Sequence, residues 1–444
     1  MVNILSGELS GYKGESLAAL KKAGVQVGDI IKITRVKEVF TGVLMPRYEL
    51  ADNKHIVIKL ENGYNIGVKV SRKTRIQKLG VGAKPAFSPP PPPEKKRDLP
   101  EVAIISTGGT IASRVDYRTG AVRPAISASD LYGVVPELAE IARVDAEILF
   151  SLYSENILAN HWSIMAKAVE KYFKKRVRGV VICHGTDTMA YSAAALSFAI
   201  QDLPGPVVFV GSQRSSDRPS SDAAMNLVNA VTSACYAPFA EVVVCMHGST
   251  SDIATSIHRG TRVRKCHTSR RDAFKSITIG PIASVEKKSI TLLTSIYKKR
   301  DEQRKLVLRP EFCDKVALVK FHPDFKSSVL ECYVDEGVKG IVLEGTGLGH
   351  VGKYVLPSLK RVIERGVIVG MSSQCIWGRV NMNVYDVGRD LQNIGVIPLE
   401  DMFPETAFVK MSWVLGQTKD VEEAERMLLT NFAGEMTNKT RFTE

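Results

Sequence analysis

Apolar and polar positions alternate along this chain in two rhythms. Up to about residue 84 the apolar, β-branched runs are short and close together: 29–36, 43–50, 55–60 and 64–70, with Asn62-Gly63 and other turn residues between them. Such spacing predicts a small all-β barrel. Beyond Pro100 the rhythm changes. Runs at 101–106, 179–183, 206–211 and 241–246 alternate with helical patterns near 155–176, 188–202 and 220–236. This alternation predicts a doubly wound α/β unit with a parallel sheet. A charged stretch at 300–315 reads as a linker. Runs at 316–321, 340–343 and 367–371 then predict a second α/β unit with its own parallel sheet, closed by a helix over 421–431.

Five consecutive prolines at 89–93 mark the sharpest boundary. A proline run adopts extended polyproline II and acts as a semi-rigid spacer. The expected organisation is a small β-barrel domain over 1–84, a proline-rich linker over 85–99, and two α/β domains over 100–300 and 301–444. The first carries no clustered His, Cys or carboxylates, so docking or spacing suits it better than chemistry. Lys69, Arg72, Lys73, Arg75 and Lys78 crowd its end, which leaves RNA contact open, although aromatics for base stacking are not evident.

Composition narrows the classes. No apolar run approaches the roughly 18 to 20 residues of a membrane span, and the first residues lack the basic and apolar blocks of a signal peptide. The seven cysteines include no CxxC pair, which argues for reduced thiols, a cytoplasmic setting and neither a zinc site nor a disulfide frame. The formal net charge of +13 favours an anionic partner, nucleic acid above all. Residues 259–305 hold 14 Lys/Arg against 4 Asp/Glu and read as a solvated basic stretch.

The candidate chemistry sits in two loops. VAIISTGGTIAS holds Thr107, Gly108, Gly109 and Thr110; GVVICHGTDTMAYSA holds His184, Gly185, Thr186, Asp187 and Thr188. Each reads as a strand, a tight polar turn and a helix start. Ligands of open parallel sheets bind where strand C-terminal ends gather. Glycines let backbone approach a ligand closely, and free N–H groups there can stabilise an oxyanion. A threonine hydroxyl needs a base to become a nucleophile; a lysine can serve, and Asp187 could orient it. Either loop alone reads as a turn with a helix cap. GxxxxGK[ST] is absent and no GxGxxG follows the first strand, which argues against a nucleotide site here.

Taken together and in this order, the two loops resemble the asparaginase/glutaminase family of threonine amidohydrolases. Ser154-Glu155-Asn156, GSQRSSDRPSSDAAMNL at 211–227, Lys265 in TRVRKCHT and MFPETAFVKMSWVLGQT near the end are similar to that family, over residues 100–444. The resemblance implies that Thr110 is the nucleophile and forms an acyl-enzyme. It further implies that Thr186, Asp187 and Lys265 form an activating relay, that Ser154, Glu155 and Asp187 line the substrate pocket, and that Tyr117 assists from a mobile segment. It implies no metal. Leu348, in GTGLGH, stands where secreted asparaginases carry a polar residue that reaches a partner subunit's site.

With its N-terminal unit the chain resembles the D-subunit family of archaeal glutamyl-tRNA(Gln) amidotransferases. That family implies a cytoplasmic glutaminase that forms a homodimer and joins the amidotransferase E-subunit in a heterotetramer. This chain would hold no cofactor. The E-subunit would use ATP and Mg²⁺ on Glu-tRNA(Gln), and glutamine would supply the ammonia. The alternative reading is a free cytoplasmic L-asparaginase, which leaves the N-terminal unit unexplained.

Overall fold

The computed structural model describes residues 9, 11–35, 38–47, 52–60, 65–71, 73–81, 98–109, 111, 113–116, 121–124, 131–132, 135–214 and 221–439. The Asn62-Gly63 turn, Arg72, the prolines at 89–93, Thr110, Tyr117 and residues 215–220 lie outside them.

In the N-terminal unit a helix, α1 (Gly14–Lys22), precedes five strands: β1 (Asp29–Arg35), β2 (Glu38–Leu44), β3 (His55–Lys59), β4 (Asn65–Lys69) and β5 (Arg75–Val81). They pair antiparallel in the order β4-β3-β2-β1-β5. Ile31 and Ile33 of β1 and Ile56 and Ile58 of β3 point inward at every second position and bury against Leu20 of α1. Two features differ from the sequence pattern. The second strand starts at Glu38 rather than near 43. The basic end around Arg75 and Lys78 is a strand, β5, whose residues are mostly exposed. An edge strand of that composition carries almost no apolar alternation to read. Lys78 also pairs with the buried Asp29 at 2.7 Å, so part of that charge is already met.

The next unit begins with β6 (Glu101–Ser106), a hairpin of β7 (Ser113–Asp116) and β8 (Ala121–Pro124), β9 (Arg143–Ile148), β10 (Gly179–Cys183), the short β11 (Ile200–Gln201), β12 (Val207–Val210) and β13 (Val242–His247). After these come β14 (Thr255–Arg259), the hairpin of β15 (Val263–Lys265) and β16 (Phe274–Ser276), then β17 (Ala283–Glu286) and β18 (Ser289–Leu292). Eight of them form one sheet in the order β18-β17-β14-β13-β12-β10-β6-β9. From β9 to β13 it is parallel, and its fully buried strands are near-continuous apolar runs, as both-faces burial requires. Among the described residues the helices α2 (Ala159–Lys174), α3 (Met189–Ala199) and α4 (Ala223–Tyr236) cover it.

The segment expected to be a solvated basic stretch is instead the antiparallel extension of this sheet, β14, β17 and β18, with the β15–β16 hairpin. Many of its cations are held by carboxylates, several of them remote in sequence. Arg259 meets Glu241 at 2.6 Å, Arg262 meets Asp401 at 3.2 Å with both side chains buried, Arg264 meets Glu405 at 2.9 Å and Lys288 meets Glu140 at 3.2 Å. The Arg300 guanidinium donates to the carbonyls of Ala237, Arg178 and Ala234. Counting charge within the segment cannot register partners supplied by other elements.

The stretch at 300–315 packs between the two α/β units. Its β19 (Val307–Leu308) pairs with β11, and the carbonyls of Arg309 and Pro310 accept from Trp413 and Ser163. Beyond it, β20 (Val316–Lys320), β21 (Gly340–Gly345), β22 (Ile368–Ser373) and β23 (Ile397–Pro398) form a parallel sheet in that order. Its helices are α5 (Ser328–Asp335), α6 (Leu356–Glu364), α7 (Asp386–Asn393), α8 (Pro404–Gln417) and α9 (Val421–Leu429). One apolar core runs through both units. In it α3 and α8 lie against each other, with Phe198 stacked on Trp413 at 5.7 Å. Lys410 of α8 is wholly buried and meets Glu435 at 2.6 Å, which fastens the C-terminal residues to this junction.

Candidate active site

The two threonine loops are brought side by side by strand register. β6 and β10 are parallel neighbours, with Ser106 opposite Cys183 at their last positions. The chain turns off both strands at the same level. Thr107 then crosses to its neighbour: its N–H and its Oγ1 both donate to the Cys183 carbonyl, at 3.0 and 2.9 Å. The glycines that follow are needed for close approach. Gly108 has φ +122°, and a Cβ there would lie 2.1 Å from the Leu152 carbonyl oxygen. Gly109 has φ +78°, and a Cβ there would lie 2.9 Å from the Gly185 nitrogen. The first loop therefore rests on the second with Gly109 backbone against His184–Gly185 backbone, immediately before Thr110. Ile111, just after it, is buried.

Ser154 completes this floor. It begins a single 3-10 turn, Ser154–Asn156, and is 3 % exposed. A Cβ on Gly185 would stand 2.8 Å from the Ser154 Cβ, and Thr188 Oγ1 donates to the Ser154 carbonyl at 2.6 Å. Glu155 beside it is exposed. His184 supports the second loop from beneath. Its Nδ1 lies 2.7 Å from the Gly185 carbonyl, and its ring meets Phe209 edge-on. Burial pushes its pKa down to about 4, so it sits there as a neutral ring.

Lys265 arrives from 79 residues away and ends β15. Its Nζ donates to Thr186 Oγ1 at 2.9 Å and to Asp187 Oδ1 at 2.8 Å. The lysine side chain is 12 % exposed, whereas that of Asp187 is 69 % exposed. Thus Thr186, Asp187, Lys265 and Ser154 converge at the edge where the loop leading to Thr110 ends. Thr110 and Tyr117 lie outside the described residues. In the sequence Tyr117 follows Asp116, the last residue of β7.

Other residues hold this group and bear no obvious motif. Gly211, at the end of β12, packs on the second loop: a Cβ there would lie 2.9 Å from Thr186 Cγ2 and 2.8 Å from the His184 carbonyl oxygen. Arg264, one position before Lys265, pairs with Glu405 at the start of α8 and so ties the hairpin to the C-terminal unit. Burial raises the Glu405 pKa, and Arg264 opposes that shift. The GSQR and MFPET segments are the only sequence signals for these contacts. Leu348 is half-buried in the loop after β21, where its carbonyl accepts from Asn381 N at 2.9 Å. Among the described residues no group of three or more His, Cys, Asp or Glu is placed to hold a metal ion.

Known proteins are similar to this chain in sequence and fold. Residues 101–298 match the family described as asparaginase, N-terminal, and residues 315–428 match the glutaminase/asparaginase C-terminal domain. Residues 25–79 match the GatD N-terminal domain. The glutamyl-tRNA(Gln) amidotransferase D-subunit of Methanopyrus kandleri is 52% identical over 437 residues, covering 96% of this chain and 95% of that protein. The chain belongs to the D-subunit family of glutamyl-tRNA(Gln) amidotransferases. A second member, from Pyrococcus abyssi, is 51% identical over 95% of this chain and 98% of its own length. Among solved structures, the thermostable L-asparaginase from Thermococcus kodakarensis superposes with a TM-score of 0.69 at 32% identity, covering 76% of this chain and 100% of that one. L-asparaginase I from Vibrio cholerae gives 0.67 at 28% identity, over 76% of this chain and 99% of its own. Family membership accounts for the small β unit, which the asparaginase descriptions leave unmatched. No described helix is long and apolar enough to cross a membrane.

Proposed function

We propose that this chain is the glutaminase of a tRNA-dependent amidotransferase. The observation that carries the reading is Lys265 Nζ placed 2.9 Å from Thr186 Oγ1 and 2.8 Å from Asp187, on the loop against which the Thr107–Gly109 turn packs. Ser154 and Asp187 hold the α-amino and α-carboxylate groups of glutamine, with Glu155 at the rim. Thr110 Oγ attacks the side-chain amide carbon. Its proton leaves through the Thr186 hydroxyl to Lys265 as the free amine, and Tyr117 assists. Backbone N–H groups of the glycine turn stabilise the oxyanion. The C–N bond breaks as the departing nitrogen takes up that proton and leaves as ammonia. Water then attacks the Thr110 ester, glutamate departs and the hydroxyl is restored.

The ammonia passes to a partner, the amidotransferase E-subunit, which uses ATP and Mg²⁺ to activate the γ-carboxylate of Glu-tRNA(Gln). This chain holds neither cofactor. We read it as a homodimer that joins two such partners in a cytoplasmic heterotetramer, in keeping with its seven free thiols. Tyr153 and Trp377, 76 % and 60 % exposed, suit surfaces covered in an assembly. The β unit over 1–84 and the linker over 85–99 serve docking and spacing, and the α/β domains over 100–300 and 301–444 build the amidase.

The test is Thr110→Ala in the assembled enzyme. Glutamine-dependent amidation of Glu-tRNA(Gln) should fall by at least about a hundredfold, while amidation fed by ammonium salts survives. Persistence of the glutamine-dependent rate would remove Thr110 from its role. Vigorous asparagine hydrolysis by the chain alone, indifferent to partner and tRNA, would favour a free L-asparaginase.

A further inference from the structure

Lys265 is carried by a hairpin only three residues deep. So short a pair does not fix a flexible lysine by itself. A chain of polar contacts, buried except at Asp252, leads from the tip of that hairpin back to Thr186. In the tip, Arg271 donates through Nη1 to Asp252 Oδ1 and through Nη2 to the Thr250 carbonyl. The same Asp252 oxygen lies 3.0 Å from Nε2 of His247, the last residue of β13, whose side chain is fully buried. On the other edge of the ring, Nδ1 lies 2.6 Å from Asn226 Oδ1 in α4. Asn226 is oriented by its amide nitrogen, which donates to the Gly211 carbonyl at 2.9 Å and to Asp222 Oδ2 at 3.0 Å. Its oxygen must therefore accept from His247. Asp222, also buried, accepts from the backbone N–H groups of Gln213 and Arg214. Gly211 in turn packs against the Thr186 methyl.

The contacts close a ring: Thr186, Gly211, Asn226, His247, Asp252, Arg271, the hairpin, Lys265 and Thr186 again. The His247 imidazole faces an oxygen on each of its two edges, Asn226 Oδ1 and Asp252 Oδ1, a pair of contacts that an amide of similar size cannot reproduce on both sides. Asp252 is held below the ordinary carboxylate range, first by His247 and then by Arg271. We propose that His247 and Arg271 are positioning residues that, through Asp252 and Asn226, fix Lys265 against Thr186. The inference rests on the glutaminase reading above. It assigns a role to four residues that touch neither substrate nor reacting atoms.

The ring predicts how kinetics divide. Displacing a relay group by about an ångström slows chemistry far more than it weakens binding of a substrate held elsewhere. In the assembled enzyme, Arg271→Ala should lower kcat for glutamine hydrolysis by about tenfold or more, with KM for glutamine within about twofold. Its side chain is only 15 % exposed, so unfolding midpoints check that the variant folds, and Arg271→Gln is read in its place if it does not. His247→Gln should show the same split. Because both act through Asp252, the double variant should lose little more than the worse single one. Ammonium-fed amidation should be unchanged throughout. Wild-type kcat in a folded Arg271→Ala variant, or losses in the two singles that simply multiply in the double, would overturn the proposal. Lys265→Ala separates the two readings. If it is inactive while Arg271→Ala is normal, only the ring fails; if it retains full glutamine hydrolysis, the site reading itself fails.

Discussion

Replacing Lys265 by methionine separates catalysis from stability. Methionine keeps the stem that fills the space beside Thr186 and removes only the terminal nitrogen. The structural loss is small. The Lys265–Asp187 pair spans 2.8 Å, but its carboxylate is 69 % exposed, so solvent screens it; such pairs contribute about 0 to 1 kcal/mol. The half-buried Thr186 hydroxyl loses one donor at 2.9 Å, which adds about 1 kcal/mol. The catalytic loss is larger. A positioned acid–base group supplies roughly 10² to 10⁴ in rate, or about 3 to 5 kcal/mol of barrier. Lys265→Met should therefore keep nearly all its unfolding free energy in urea while kcat for ammonia release from glutamine collapses. Lys265→Arg should be almost as poor, because a guanidinium stays protonated and cannot take a proton. Near-normal turnover by a folded Lys265→Met variant would refute the relay. Near-normal turnover by Lys265→Arg alone would mean that the lysine supplies charge rather than proton transfer.

Two further predictions follow from the packing and the buried imidazoles. Gly185→Ala puts a methyl 2.8 Å from the Ser154 Cβ and 3.0 Å from its Oγ; the forced shift should cost about 1 to 3 kcal/mol and raise KM for glutamine severalfold, and an unchanged KM would remove Ser154 from the substrate. Burial holds His184 down at about 4 and His258 at about 3, whereas both titrate near 6.5 in an unfolded chain. Below that value the unfolded state binds more protons, so stability falls as pH drops, by about 2 kcal/mol from each at pH 5. A urea midpoint no lower at pH 5 than at pH 7.5 would contradict this.

What can be read from the chain follows how local each feature is. The strands ending at Ser106 and Cys183 announce themselves as apolar runs before glycine turns, and parallel pairing places their loops side by side. Thr186 and Asp187 are accessible for that reason. Lys265 is marked by family resemblance alone. Its strand is three residues long and its partners lie 78 and 79 positions away. The helix over Gly14–Lys22 and the edge strand Arg75–Val81 leave little trace because neither carries a strong apolar rhythm. The excess of Lys and Arg between 259 and 305 misleads for a related reason. Asp401, Glu405 and Glu241, which neutralise three of those arginines, belong to other elements. Charge counted along a segment says little about charge presented to a partner when the counter-ions are brought in by folding.

The site is consequently held in two ways of unequal strength. The mutual placement of the threonine loops depends on sheet register, on the Thr107 bonds to the Cys183 carbonyl and on glycine backbones in direct contact. Such contacts cannot shift without disturbing the sheet itself. Lys265 depends on side chains, and its brace comes to the surface at Asp252, whose side chain is 64 % exposed. An exposed ion pair contributes about 1 kcal/mol at most. The brace is therefore the part of the site that costs least to release. A change at the surface near Asp252 and Arg271 would move the lysine before it moved either loop, and would lower turnover before it lowered affinity for glutamine.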